Sequence, residues 1–280
     1  MATLPSLAAA QEVIGINAAV RNLVQIRTGS APARHAVLRQ PVRLNDEVRT
    51  GPASQLQILF RDRSSFTVGA NSRIRIDRFA YDAPRSVREF GGSVTRGAFR
   101  FISGRSFAMA PGSRSLRTPV ATMGIRGTIL EGVVGADAVR IAAAESAVGP
   151  DARSDPETAT LILLRGPGPQ AQGGVAAGAV EVAAGDKSFV LDQPLLALYV
   201  PGPGVPPIGP FRLSDAGILS VEQLVRPSPP AAARAAASEG PDQDRQAVRR
   251  SIPAWVAPLL AILAAGFVVL DDSDETPVSP

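Results

Sequence analysis

The chain of 280 residues has no cysteine, one histidine, one lysine and few aromatic residues, 5% of the total. Without cysteine there is no disulfide and no thiolate metal site. That absence does not define a compartment, since exported chains can also lack cysteine. His35, in Ala33-Arg34-His35-Ala36, has no second His or Cys with which to form a metal site and reads as a surface residue. Nucleophilic catalysis needs a base beside Ser or Thr, and one loop histidine argues against a triad. The acid pairs Asp46-Glu47 and Asp271-Asp272 are adjacent in sequence, so on a strand they would point to opposite faces. They do not suggest the facing carboxylates of glycoside chemistry. Gly166-Pro-Gly-Pro is no phosphate loop, because proline removes the N–H donors such a loop uses. The aromatics do not interleave with arginine at stacking intervals, so no nucleic-acid partner is expected. The absences together predict a chain that is not an enzyme and needs no cofactor or metal.

Charge is present but unevenly placed. Residues 1–130 hold 19 arginines against 7 acidic residues, a net of +12, and residues 131–280 hold 10 basic against 18 acidic residues, a net of −8. Lys187 is the only lysine; an arginine bias this strong fits high-GC codon usage as well as selection. A basic half can attract polyanions such as lipopolysaccharide, anionic lipid or nucleic acid. The arginines recur at near-regular intervals along strand-like segments, which favours a solvated sheet face over a dedicated patch.

Both ends suggest the cell envelope. Ala8-Ala9-Ala10 before Gln11 has the small-residue character of a signal-peptidase site, without the charged and apolar regions that should precede it. The expectation is that residues 1–12 are the remnant of a signal peptide whose start lies upstream of Met1; a plain disordered terminus is the alternative. Ile252–Leu270 is an apolar run close to the ~20 residues that cross a bilayer. Trp255 sits where an interfacial aromatic would, Arg245, Arg249 and Arg250 precede the run, and Asp271, Asp272, Asp274 and Glu275 follow it. It reads as a membrane span or anchor, with a buried or interfacial helix as the alternative. The positive-inside rule would hold Arg249 and Arg250 in the cytoplasm, whereas a cleaved signal would export them; export is favoured.

Between the ends the pattern is short alternating segments broken by turn residues. Val20–Arg27, Ala36–Arg39, Val48–Thr50, Leu56–Phe60, Ser65–Val68, Arg73–Phe79 and Ala98–Ile102 read as strands, with turns at Thr28-Gly29-Ser30, Gly51-Pro52, Arg61-Asp62-Arg63 and Gly69-Ala70-Asn71. Leu56–Phe60 is apolar on both faces and should be central. Arg73–Phe79 should place Ile74, Ile76 and Arg78 on one face, with Arg73, Arg75, Asp77 and Phe79 on the other. The rhythm predicts an all-β fold, a β-solenoid or roll with a β-sandwich as alternative. A C-terminal linker and a single apolar helix should follow.

The organisation read from this pattern is a β domain at 13–135, an Ala-rich excursion or short helix at 136–158, and a second small β segment at 159–225. That segment should end in a helix over Ser214–Val225, capped by Ser214 or Asp215. A Pro/Ala-rich linker at 226–250, the apolar helix at 251–271 and an acidic tail at 272–280 complete it. Gly166–Gly178 should be a loop and Pro201–Pro207 a proline-rich exit.

Several blocks stand out. Asn45-Asp46-Glu47-Val48-Arg49-Thr50-Gly51 leads into Ser54–Ser64, then Val68-Gly69-Ala70-Asn71-Ser72-Arg73-Ile74, then Gly97–Gly104. Thr118-Pro119-Val120-Ala121-Thr122-Met123-Gly124-Ile125-Arg126-Gly127-Thr128 closes the set. Asn45 or Asp46 can hydrogen-bond its own backbone in a turn before Val48, and Asn71-Ser72 can do so before Ile74. Pro119 fixes the start of the last block. Gly124 and Gly127 make positive φ available on both sides of an inward Ile125. Arg126 could bind an anion or a buried carboxylate; a structural pairing with Asp62 or Asp77 is the favoured reading.

From Leu44 to Gly132 these blocks resemble the FecR domain family, the closing block most specifically. The resemblance implies a bacterial periplasmic all-β module that, in the regulators naming the family, relays a signal from an outer-membrane receptor to an inner-membrane anti-sigma system. This chain resembles a stand-alone member, with no N-terminal helical domain or span before the β domain. Asp62 is followed by Arg63 rather than the glycine of an Asp-Gly turn, against a type I′ turn there. The expected role is a periplasmic or envelope sensor or scaffold that binds a protein or glycan partner, with a polyanion- or glycan-binding adhesion component as the alternative. The motif residues expected to matter are Asp46, Thr50, Gly51, Asp62, Asn71, Ser72, Thr118, Pro119, Gly124, Ile125, Arg126, Gly127 and Thr128.

Overall fold

Alternating apolar residues punctuated by Asn, Gly and Pro become hydrogen-bonded strands over most of the chain. A computed structural model describes residues 12–82, 87–104, 113–149, 152–166 and 178–226. The elements in order are β1 (Val13–Arg21), β2 (Val24–Thr28), β3 (Arg34–His35), β4 (Pro41–Arg43), β5 (Asp46–Thr50), β6 (Gln55–Phe60), β7 (Ser65–Val68), β8 (Arg73–Asp82) and β9 (Val87–Ile102). There follow β10 (Arg114–Arg117), β11 (Thr122–Arg126), β12 (Ile129–Val134), α1 (Ala136–Ala142), β13 (Thr160–Gly166), β14 (Ala179–Ala184), β15 (Lys187–Leu191), β16 (Leu196–Val200), β17 (Ile208–Arg212) and α2 (Asp215–Val225). The all-β expectation holds for the body of the chain. Residues 1–11 of the signal remnant, most of Gly166–Gly178, the linker from 227 onward, Ile252–Leu270 and the acidic tail at 272–280 lie outside the described residues. Among the described residues no helix is long and apolar enough to cross a membrane.

Strand pairing forms two ladders that share β9. One runs β4-β1-β6-β7-β9-β12-β13-β16-β17. The other runs β3-β2-β5-β8-β9-β10-β11-β14-β15. Neighbours are antiparallel except β9 and β10, which are parallel. The long β9 makes the join: Arg96 pairs with Arg73 of β8 in one ladder, and Gly97 pairs with Val134 of β12 in the other. Gly97 has φ +87, and a Cβ there would fall 2.3 Å from Ser72 Oγ. Only glycine combines that backbone angle with that approach.

Side chains from both ladders meet in one apolar cluster that includes Ile14, Val48, Phe60, Phe66, Ile74, Phe90, Phe101, Met123, Ile162 and Val182. Six phenylalanines are its centre: Phe90 stacks on Phe101 at 4.6 Å, Phe66 on Phe99 at 5.8 Å and Phe60 on Phe79 at 5.5 Å. β13 is buried on both faces. Ile162 and Leu164 point into this cluster, while Leu161 and Leu163 join a second one with Ala138, Ile141, Ile218, Val221 and Val225 of the two helices. Such a strand reads as continuously apolar rather than alternating. Ser214 caps α2 by accepting from Gly217 N at 3.1 Å, and Glu145 holds that serine from the end of the α1 segment at 2.7 Å.

Three local readings change. Ala36–Arg39 forms the connection between β3 and β4 rather than a strand, with Arg39 at φ +65. Asn22 takes φ +53, so Val20–Arg27 splits between β1 and β2. In β8 the register shifts between Ile76 and Arg78. An extra residue in a strand reverses the side-chain alternation beyond it, so Phe79 turns into the core and Arg78 turns out. Period-two counting alone placed these two residues on the opposite faces.

Candidate functional site

Most motif residues build clasps between turns rather than one shared cleft. Thr50 Oγ1 donates to Gly69 O at 2.6 Å and accepts from Ser72 N at 2.9 Å, and Asn71 N donates to Gly51 O at 3.1 Å. Ser72 Oγ donates toward Ala70 O or Ala98 O, each at 3.0 Å, and accepts from Ala98 N at 2.9 Å. Thr50, Gly51, Asn71 and Ser72 thus tie the turn after β5 to the turn after β7 and to β9. Asp46 caps the β4–β5 turn by accepting from Arg43 N at 2.9 Å, with Asn45 at φ +67. Thr128 N donates to Ser103 Oγ at 3.2 Å and Thr128 Oγ1 donates to Gly166 O at 2.7 Å.

Arg126 does not pair with Asp62 or Asp77. It is exposed and meets Glu181 across the ladder at 3.2 Å. Asp62 is buried, takes Arg114 at 2.9 Å and accepts from Ser64 N at 3.0 Å; Asp77 takes Arg117. Ile125 is buried, and of its flanking glycines Gly127 alone has positive φ, +58. Arg63 carries φ +66, so the left-handed turn after Asp62 forms without glycine.

One part of the closing block does line a cavity. Thr118 to Thr122 form the turn from β10 to β11, closed by Thr118 N donating to Ala121 O at 2.8 Å and Ala121 N donating to Thr118 Oγ1 at 3.1 Å. Thr160 Oγ1 of β13 donates to the same hydroxyl at 3.1 Å and anchors the turn to the ladder beneath. Opposite this turn lie the β14–β15 hairpin tip, Ala183 to Lys187, and the loop Gly202–Pro207. Together they enclose a groove of about 500 Å³. Pro119, Pro203, Pro206 and Pro207 stiffen its walls, since a fixed φ leaves little backbone freedom to lose on binding. Asp186 and Lys187 are its charged residues, and His35 lies on β3 in another part of the molecule. The groove offers apolar proline surface, hydroxyls and one charge of each sign. Thr118 and Pro119 were legible as motif residues. The contribution of Lys187 and Gly202–Pro207 was not, because Lys187 arrives through the ladder β11-β14-β15 and Gly202–Pro207 through the pairing β13-β16-β17 of the other ladder.

A second concentration of polar chemistry lies on the outer face of β2, β5 and β8. Glu47, nearly buried, is approached by Arg49 at 2.6 Å, Arg73 at 3.0 Å, Arg27 at 3.4 Å and Arg75 at 3.9 Å. Burial pushes the Glu47 carboxyl up, but hydrogen bonds from Arg73 and Arg49, with their charges, outweigh it and hold its pKa below the ordinary value. A depressed folded-state pKa adds stability that is present above the unfolded value and lost as pH falls through the folded one. Wild type is therefore expected to lose stability on acidification below the ordinary glutamate range more steeply than Glu47→Gln. Parallel urea titrations across that range check this; identical slopes would refute it.

Comparison with known proteins agrees with the motif reading. The model of the family described as FecR protein matches residues 46–149, past Gly132 and through α1. Two crystal structures of a putative anti-sigma factor from Parabacteroides distasonis are similar at 14% and 13% identity, with TM-scores of 0.37 and 0.35. Each match covers 58% of this chain and 57% of the other, so the chain spans a little over half the length of the structures it matches. No curated protein sequence matches the chain.

Proposed function

We propose, from the premise that residues 46–149 are a FecR domain, that this chain is a non-catalytic signal-sensing or scaffold module of the bacterial envelope. Its ladders, continuous through β9, are read as a roll that serves as a rigid platform. The partner is an extended segment of another envelope protein, held in the groove at the β10–β11 turn. The observation that carries this reading is the position of the family-like Thr118-Pro119-Val120-Ala121-Thr122 turn. It forms the lip of a proline-walled groove of about 500 Å³ whose charged residues are one aspartate and one lysine. An extended peptide can use such a groove through backbone contacts and shallow apolar pockets.

Site-specific crosslinking tests it. A photoreactive residue at Val205, on the groove wall and partly exposed, is expected to capture one specific envelope protein. Lys187→Glu and Pro119→Asp, each combined with the photoreactive residue at Val205, are expected to weaken that capture about tenfold or more, the equivalent of 1.4 kcal/mol. Failure to recover a specific partner, or capture unchanged in both variants, would reject the groove as the contact surface. Protease accessibility in spheroplasts, with tags at both ends, reports the compartment independently.

A further inference from the structure

The charge on the outer face of β2, β5 and β8 is far from balanced. Across the three strands, Arg27, Glu47 and Arg75 form one cross-strand row, and Gln25, Arg49 and Arg73 form the next. Four guanidinium groups within 4 Å of one carboxylate leave a net of +3 at this spot. Arg49 and Arg73 are directly opposite one another, a placement that is unfavourable without a shared anion. Arg96, paired with Arg73 on β9, carries the positive strip one strand further. Glu47 keeps only 8% of its side chain exposed, whereas the four arginines keep 41% to 50%. The guanidinium groups therefore remain open to solvent on their outer sides.

A concavity of about 360 Å³ opens beside them, lined by Gln25, Arg27, Glu47, Arg49 and the loop Ser30 to Ala33. Strands are spaced about 4.8 Å apart, so cations on successive strands match anionic groups on neighbouring ring atoms. The planar fork of guanidinium fits the oxygens of phosphate and sulfate in pairs. A surface arginine face placed only for solubility would have its charges interspersed with acids.

We propose that this cluster is a binding site for closely spaced phosphate or sulfate groups carried on a cyclic polyol or saccharide ring, with Glu47 as an internal counter-ion that offsets only one of the four arginine charges. The site is separate from the β10–β11 groove and does not rest on it.

Calorimetric titration of the full chain with myo-inositol hexakisphosphate, a heparin hexasaccharide and inorganic phosphate tests the assignment. At least one of the two polyanions is expected to bind at least about tenfold tighter than inorganic phosphate, and the tighter of them identifies phosphate or sulfate as the preferred group. The affinity should fall steeply with salt, because the site is open to screening. Arg49→Gln combined with Arg73→Gln is expected to lose at least about tenfold. Glu47→Gln, which raises the local charge, is expected to gain affinity. Arg75→Gln, at the rim of the cluster, carries the test should Glu47→Gln not fold, and is expected to lose affinity. Arg140→Gln on α1 is the control and should change nothing. Binding unaffected by Arg49, Arg73 and Arg75, an equal loss in the Arg140 control, weaker binding by a folded Glu47→Gln, or no preference for either polyanion over inorganic phosphate would each overturn the proposal.

Discussion

Glu131→Ala is expected to cost about 3–5 kcal/mol of folding stability, the range for removing one partner of a buried ion pair. Glu131 is fully buried on β12 and Arg100 is 5% exposed on β9, directly opposite in the ladder. Arg100 Nε donates to Glu131 Oε1 at 2.5 Å. Arg165 stands 3.8 Å from the same oxygen, and Glu222 of α2 lies 3.0 Å from Arg165 and 3.8 Å from Arg100. Removing the carboxylate leaves cations facing one another in a poorly solvated place, with Glu222, 33% exposed, beside them. Burial, and then the charge of Arg100, press the guanidinium of Arg226 below its ordinary pKa, against the opposing charges of Glu222 and Glu131. The double variant Arg100→Met, Glu131→Leu removes both charges and is expected to recover most of the loss, since apolar replacement of a buried pair is often neutral or better. Guanidinium chloride unfolding of both single variants and the double variant measures the cycle. A loss below about 1 kcal/mol for Glu131→Ala would show that the pair contributes little.

Through Glu222 this network reaches α2, whose end is also held by the ladder. Gln55 Nε2 donates to Val225 O at 3.0 Å, and Ala70 N donates to Leu224 O at 3.1 Å. A Cβ on Gly69 would lie 2.3 Å from Leu224 O, so the helix end sits directly on backbone. Loss of Glu131 should therefore loosen α2 as well as the ladder, visible as faster amide exchange over residues 215–225.

Phe90→Ala is expected to cost about 3–5 kcal/mol through the lost burial and the cavity left behind. Phe90 is fully buried, stacks on Phe101 at 4.6 Å, meets Phe60 edge-on at 5.3 Å and reaches Phe66 at 6.3 Å. Aromatic pairs of this geometry add about 0.5–1.5 kcal/mol beyond area burial. Phe90 lies on the half of β9 that pairs with β8, and Phe101 on the half that pairs with β12. The stack thus holds the two ladders together across the core. Phe90→Leu keeps most of the volume and should lose less than half as much. Denaturant midpoints at unchanged slope would confirm the effect; equal losses for Ala and Leu would point to ring contacts rather than volume.

What could be read from residue order was what depends on neighbours a few positions apart. Alternation marked Ser65–Val68 and the first half of β8 as strands. Asn45 and Asn71 marked turns that take left-handed angles, and Ser214 marked the start of α2 through a local side-chain bond. Thr160–Leu164, apolar at successive positions, carries in its residue order the mark of a strand buried on both sides. The scarcity of His, Cys and facing acids was equally local and steered the reading toward contact rather than chemistry. Long-range register lay beyond such reasoning. The extra residue at Asp77 turned Phe79 inward because the partner strand β9 imposes the shift. Asp62 found Arg114 rather than Arg126, 52 positions along the chain. The groove at Thr118–Thr122 exists because β14 pairs with β11 and delivers Lys187 to it. The four arginines around Glu47 come from three strands whose spacing along the chain says nothing of their pairing. Backbone preferences are set within a few residues, whereas the partners of a charge are set by which strands lie side by side, and only packing of the shared core decides that.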